Sequence, residues 1–324
     1  MASANTNYSD ILATTIESRS KKVADNVTDN NAVLKKLEMK GRIKPFSGGT
    51  KIIQELSFAE NANGGWYSGY DILPVGVSDV ISAAEFEIKQ AAVPVVISGL
   101  EQLQNAGKER MIDLMDARLS VAEATLANLI AAGIYSDGTG SGGKEIDGLD
   151  AAVAVDPSND TYGNIASTTY TFWQNSTAST AIAVADVQGA FNDMWATLVR
   201  GMDRPDLIMV DSVMWGKYLA SLQAQQRFAS PDTGNLGFPT IKYMDADVCL
   251  DGGIGGNATA QTAYFLNTDY LHYRPHSARN MVPLSPNKRY ATNQDAEVQI
   301  IAWAGNLTCS GRQFQGRITD TTAG

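Results

Sequence analysis

Apolar side chains recur at three- and four-residue steps from Leu100 to Gly133, through Leu103, Met111, Leu114, Met115, Leu119, Ala122, Leu126, Leu129 and Ile130. Glu109, Asp113, Asp116 and Glu123 fall on the opposite face. The spacing predicts one long helix, capped by Ser98 or Gly99 and stopped at Gly133, where glycine accepts the left-handed backbone of a helix end. At about 1.5 Å per residue it spans roughly 50 Å. That is long for a compact enzyme domain and natural for a rigid spine along which the other elements are arranged.

Two segments ahead of the spine have no core of their own. In residues 50–98, Lys51–Phe58 and Val93–Ile97 are rich in apolar and β-branched side chains, and Glu85–Lys89 alternates with period two. Asn61-Ala-Asn-Gly-Gly65 marks a turn between them, followed by Trp66, Tyr67 and Tyr70. This reads as a long antiparallel excursion with an aromatic, glycine-rich tip. A lone hairpin is marginal in water and needs a surface to lie on. Residues 1–45 are polar, with one weak stripe at Ile11, Leu12, Ile16 and Val23 and another at Val33, Leu34 and Leu37. Neither stripe is expected to build a core, so the segment reads as an arm that wraps a partner, and deleting residues 1–40 is expected to spare the fold.

Beyond the spine lies Gly138-Thr-Gly-Ser-Gly-Gly-Lys144. It fits part of a phosphate-binding pattern, but such a loop must follow a strand and open a helix, and a hydroxyl must follow the lysine. Here the loop follows a helix, position 145 is Glu, and Ile146-Asp-Gly-Leu149 is not helical. A flexible connector is the expectation. Helical patterns resume at Val184–Arg200 and Val213–Arg227, with a buried strand at Pro205–Val210 between them. Short strands follow at Ala263–Leu266, Tyr270–Tyr273 and Val298–Ala302.

The residues that chemistry needs are sparse. Cys249 and Cys309 are too few for a disulfide framework, and no CxxC or HxxxH accompanies His272 and His276. Asp245, Asp247 and Asp251 alternate near two glycines but lack the closing glutamate of a calcium loop. No Ser/His/Asp set stands out. No catalytic, cofactor-binding or metal-binding residue is therefore assigned, and no apolar run reaches the roughly 20 residues of a membrane span. The net charge of −10 is uneven: residues 1–45 carry eight Lys/Arg against five acids, leaving −13 on the rest. An acidic body offers no broad surface for counterion release, so contact with DNA is expected to be weak, sequence-independent and limited to side chains such as Lys21, Lys22, Lys35 and Lys36.

The order of arm, β excursion, spine, glycine-rich link and mixed α/β region resembles the major capsid proteins of tailed bacteriophages, with the fold called the Hong Kong ninety-seven type. Glu145-Ile-Asp-Gly-Leu-Asp150, Tyr162-Gly-Asn-Ile165 and Phe172-Trp-Gln-Asn175 look like that family's segment after the spine. Arg204-Pro-Asp-Leu-Ile-Met-Val-Asp211, Tyr218 and Gln225-Gln-Arg-Phe228 look like its central domain. Phe265-Leu-Asn-Thr268, Arg279-Asn-Met281 and Gly305-Asn-Leu-Thr308 extend the likeness, which covers most of residues 40–318.

The resemblance implies an α+β fold divided into an N-terminal arm (1–45), an extended loop (46–98), a peripheral domain with the spine helix (99–180), an axial α/β domain (181–295) and a C-terminal return to the peripheral domain (296–324). It implies a non-enzymatic head protein assembling into pentamers and hexamers of an icosahedral shell around double-stranded DNA. Its expected partners are other copies of itself, a separate scaffolding protein, a portal and a decoration protein, with no membrane and no cofactor. The virion capsid, assembled in the host cytoplasm, is its expected location. Inter-subunit contacts are expected at Trp66, Tyr67, Tyr70, Ile11, Leu12 and Ile16. Copies in different shell positions are expected to differ mainly in the excursion and the arm, with Asn63-Gly-Gly65 and Gly138–Gly143 as joints. Some relatives carry a cleaved scaffolding region or a Lys–Asn cross-link; no segment or residue pair here carries either over. The alternative is an α/β enzyme or small-ligand-binding protein with an unusual insertion.

Overall fold

The computed structural model describes residues 31–104, 114–222, 240–252, 256–284, 289–290 and 295–322. Ile11, Leu12 and Ile16 lie outside them. Asn31 caps the first helix, α1 (Ala32–Met39), by accepting the Leu34 amide at 3.1 Å, and its Nδ2 donates to the Ala131 carbonyl. Ala32, Val33 and Leu37 are fully buried in the main core. On the rim of that contact Lys36 pairs with Asp247 at 2.7 Å, Lys40 with Asp206 at 3.1 Å and Arg42 with Asp269 at 2.7 Å. The stripe at Val33, Leu34 and Leu37 was expected to be too short for a core. It joins one because a sheet supplies the opposite face, so the second half of the proposed 1–45 arm is intramolecular structure. Removing residues 1–40 removes part of the core, contrary to expectation.

Strands β1 (Ile52–Ser57) and β2 (Ile81–Phe86) pair antiparallel in the register Ile52↔Phe86 to Ser57↔Ile81. The excursion is this hairpin with the 58–80 loop. β3 (Lys89–Ser98) does not belong to it, contrary to the single hairpin expected over residues 50–98. The spine is present as α2 (Gly99–Gln104) and α3 (Leu114–Gly133), with 105–113 outside the described residues. Ala122, Leu126 and Ile130 of α3 face the core, whereas Leu129 is half exposed.

The longer of the remaining strands and helices are β4 (Ser176–Thr180), α4 (Val187–Leu198), β5 (Leu207–Val210), α5 (Ser212–Ser221), β6 (Thr240–Tyr243), β7 (Ala246–Leu250), β8 (Thr262–Leu266), β9 (Leu271–Pro275), β10 (Ala296–Cys309) and β11 (Gly316–Asp320). Six of the strands form one sheet in the order β4-β11-β8-β5-β7-β6. β5 reads Leu-Ile-Met-Val without polar alternation because both faces are covered. Leu207, Met209, Cys249, Tyr264 and Leu266 face the core shared with α1 and α3. Ile208, Val210, Val248, Ala263, Phe265 and Ile318 face α4 and α5. Asp211 ends β5 and starts α5, its carboxylate accepting the Met214 amide at 2.9 Å.

β10 organises the second sheet. Residues 296–305 pair with β3 along one edge, and residues 305–309 pair with β9 along the other. The sheets therefore exchange segments across the boundaries read from sequence. β4, from the 99–180 range, and β11, from the 296–324 return, pair with each other and join the six-stranded sheet, and β9, from the 181–295 range, pairs with β10.

Two outcomes follow from this packing. Leu37→Ala should lower unfolding stability by about 2–4 kcal/mol, because a fully buried leucine leaves a cavity between two elements; urea denaturation showing a loss under about 0.5 kcal/mol would place α1 outside the core. His272 on β9 is buried, and desolvation, aided by Lys44, Arg42 and Arg274, holds its pKa down to about 4. A histidine depressed in the fold binds its proton in the unfolded chain first. Its contribution is present above the unfolded value of about 6.5 and is lost as pH falls toward 4, amounting to about 3 kcal/mol. His272→Gln should flatten the stability–pH curve between those values, and an unchanged slope would contradict the assignment.

Candidate subunit interface

The excursion is anchored at its root and bare beyond it. Phe58 stacks on Phe172 at 5.4 Å, and Phe86 meets Tyr162 edge-on at 5.0 Å. Trp173 donates its indole N–H to the Tyr162 carbonyl. The Gly163 carbonyl accepts the Glu85 amide at 3.0 Å; Gly163 has φ 58°, and a Cβ there would sit 2.8 Å from the Ala84 methyl. Glycine thus lets the 161–166 turn lie flat on β2. Leu56, Ala84 and Phe86 close the root into the main core. Lys51 and Glu85 pair across the exposed face, and this hydrogen bond raises the Lys51 pKa.

Past Phe58 the side chains face water. Trp66 is 106% exposed, Tyr70 105% and Tyr67 68%, while Ile72, Val75 and Val77 are each at 95% or above. Ile81 on β2 and Ile53 on β1 continue this surface onto the hairpin. From Asn61 to Ser78 the single charged side chain is Asp71, which accepts the Ser68 amide at 2.8 Å. The three aromatic residues singled out from sequence lie together on this loop, and nothing within the described residues covers them. The aliphatic members were missed. Their signal is the run Ile72-Leu-Pro-Val-Gly-Val77, apolar but too short and too glycine- and proline-broken for a strand.

Other candidates resolve into internal structure. The 138–143 loop is a compact turn, not the loose connector expected. Glu145 folds back into it, accepting Ser136 Oγ at 2.7 Å and Ser141 Oγ at 3.1 Å. The loop interior is thus filled by the chain's own carboxylate where an anion would have to sit. Gly138 has φ 80°, and a Cβ there would be 2.4 Å from Asp147 Oδ1. The cleft between β2 and this turn is lined by Lys51, Glu85, Lys89, Asp147, Asp150 and Asp160. Its charges are engaged. Lys89 donates to the Gly143 carbonyl, Asp150 takes Arg317 and Thr259, and Asp160 takes Arg312. Burial raises the Asp147 pKa against an opposing hydrogen bond from Asn306. Asp247, from the alternating aspartates, is held by Lys36 and Lys242. Burial pushes both cysteine thiols up to about 12, which keeps them protonated. Among the described residues no group of His, Cys, Asp or Glu is placed to hold a metal ion, and no helix is long and apolar enough to cross a membrane.

Comparison with known proteins places this architecture. No family model and no curated protein matches the chain. Solved structures do. A chain of the cyanophage A-1(L) capsid asymmetric unit superposes with a TM-score of 0.72 at 16% identity, covering 95% of this chain and 97% of that one. A chain from the capsid of an empty GTA particle gives 0.62 at 12% identity over 98% and 99%. A Gordonia phage Cozz chain gives 0.58 at 13% over 95% and 91%. At such identities the likeness is one of fold.

Trp66→Ala should leave subunit stability unchanged within about 0.5 kcal/mol, since a side chain wholly in water contributes no packing. The same change should weaken self-association by about 2 kcal/mol or more, roughly thirtyfold or beyond in concentration. Thermal unfolding and light scattering read the two effects separately; a destabilised subunit with unaltered association would contradict the placement.

Proposed function

We propose that this chain, which has the tailed-phage major capsid fold of the Hong Kong ninety-seven type, is the head protein of a phage. In that role it assembles into pentamers and hexamers of an icosahedral shell around double-stranded DNA. The observation that carries the reading is the excursion, a well-rooted hairpin that ends in an apolar surface uncovered by its own chain. A contiguous apolar patch rimmed by polar residues marks an association surface, and a repeated subunit supplies the same partner to every copy. Weak contacts repeated many times give a stable shell that still tolerates small changes of angle.

The finer parts of this reading follow from it. Copies in pentamers and hexamers share α3 and the 184–310 region and differ in the 58–80 loop and the residues before α1. A separate scaffolding protein, a portal and a decoration protein are its further partners, and the host cytoplasm is where it assembles into the virion capsid. DNA contact is weak and sequence-independent, confined to cations such as Lys21, Lys22 and the exposed Lys35; Lys36 is engaged with Asp247. The role is structural, not enzymatic. The charged cleft that an enzyme reading would use is lined by groups that already have partners: Lys89 on the Gly143 carbonyl, Asp160 on Arg312 and Asp150 on Arg317.

Sedimentation and negative-stain microscopy of the purified chain test the proposal. Uniform shells, rings or tubes, whose copies differ mainly in 58–80 and the N-terminal residues, are expected. A single 34.6 kDa species at every concentration would contradict it.

A further inference from the structure

Asn63 closes the exposed loop against a residue thirteen positions away. Its Nδ2 donates to the Gly76 carbonyl at 2.6 Å, and its Oδ1 accepts the Gly76 amide at 3.3 Å. One side-chain amide thereby replaces a rung of strand pairing where the two backbones have moved apart. Only asparagine and glutamine offer donor and acceptor side by side in this way. Asn63 is steadied from its own side, its backbone amide donating to Asn61 Oδ1 at 3.0 Å and the Gly64 amide donating to the Asn61 carbonyl at 3.0 Å. Opposite, Gly76 lies close under the clasp: a Cβ there would be 3.3 Å from Asn63 Oδ1 and would press on it. Below the clasp the Phe58 amide donates to the Val80 carbonyl, and above it the Asp71 amide donates to the Ser68 carbonyl.

We propose that Asn63 is the positioning residue of the assembly contact. It rests on the reading of the chain as a self-assembling subunit. The clasp divides the 59–79 loop and leaves residues 64–75 as a shorter closed loop carrying Trp66, Tyr67, Tyr70, Ile72 and Val75. Shortening a loop lowers the entropy still to be lost when it docks, and a preorganised surface binds more tightly than a free one with identical contacts. The clasp acts without touching the partner. The partner surface is an apolar, largely uncharged area of a second copy. The one carboxylate of residues 64–75, Asp71, already accepts the Ser68 amide, so this part of the loop offers little charge to pair with a charged neighbour.

Asn63→Ala removes both hydrogen bonds. Asn63→Asp keeps an acceptor for the Gly76 amide but sets a carboxylate against the Gly76 carbonyl. Three quantities are measured for wild type and both variants: melting temperature, hydrogen exchange of the peptide containing Gly76 in the dilute subunit, and the critical concentration for assembly by light scattering. The expected result is an unchanged melting temperature, faster exchange at Gly76 in Asn63→Ala with a smaller change in Asn63→Asp, and a critical concentration raised about fivefold to tenfold in Asn63→Ala, the scale of preorganisation effects. Two results overturn this proposal alone: exchange at Gly76 that does not respond to Asn63→Ala, or faster exchange with a critical concentration within about twofold of wild type. Wild type that stays monomeric at every concentration overturns the shell reading and takes this proposal with it.

Discussion

Trp66, Tyr70, Ile72, Val75 and Val77 stand in water because no side chain from Asn61 to Ser78 is buried against the rest of the chain. Soluble monomers seldom leave so contiguous an apolar surface bare. Covering it from within would require the hairpin to fold back on the body. The root prevents this. Phe58 on Phe172, Phe86 on Tyr162 and the Gly163–Glu85 hydrogen bond fix the direction in which β1 and β2 leave the core. Anchored root and bare tip together commit the subunit to find its cover on another molecule.

A projecting contact of this kind transmits force only if the body behind it is stiff. β10 supplies much of that stiffness. It pairs with β3 for ten residues, from Ala296↔Ser98 to Gly305↔Lys89, then with β9, and the chain continues directly into β11 of the other sheet. α1 braces the same junction from the opposite end of the chain. Its buried Leu37 and its lysines reach the six-stranded sheet, while the backbone beyond it runs alongside β9, with the Lys44 amide on the Tyr273 carbonyl. Each sheet is therefore completed by segments distant in sequence, and bending the body would break strand pairs in both.

Elements with strong local patterns were legible in the sequence. The described parts of the spine and the Val187–Leu198 helix follow from periodicity, the Leu207–Val210 strand from an unbroken apolar run, and the aromatic tip from a glycine turn with no nearby core. The parts that were misread are those decided by distant partners. Val33 and Leu37 look like too little apolar surface until the sheet face at Leu207, Met209 and Leu266 is placed opposite them. β3 looks like a return strand of the excursion until β10, two hundred residues later, takes its edge. Ile72, Val75 and Val77 were overlooked because Pro74 and Gly76 hide them from any periodic template. The 138–143 glycines suggest freedom, and the Glu145 carboxylate that fills the turn cannot be inferred from their number.

The central claim is that the 61–78 surface is covered by a second copy of the chain. Hydroxyl-radical footprinting, comparing the dilute subunit with the concentrated, assembled protein, tests it most directly. Trp66, Tyr67 and Tyr70 should oxidise rapidly in the subunit and be protected about fivefold or more after assembly, as residues at the centre of a desolvated contact are, while Met202, exposed on a turn before β5, serves as the internal reference. Equal oxidation of the three aromatic residues in both states, with assembly verified in the same samples, would contradict it.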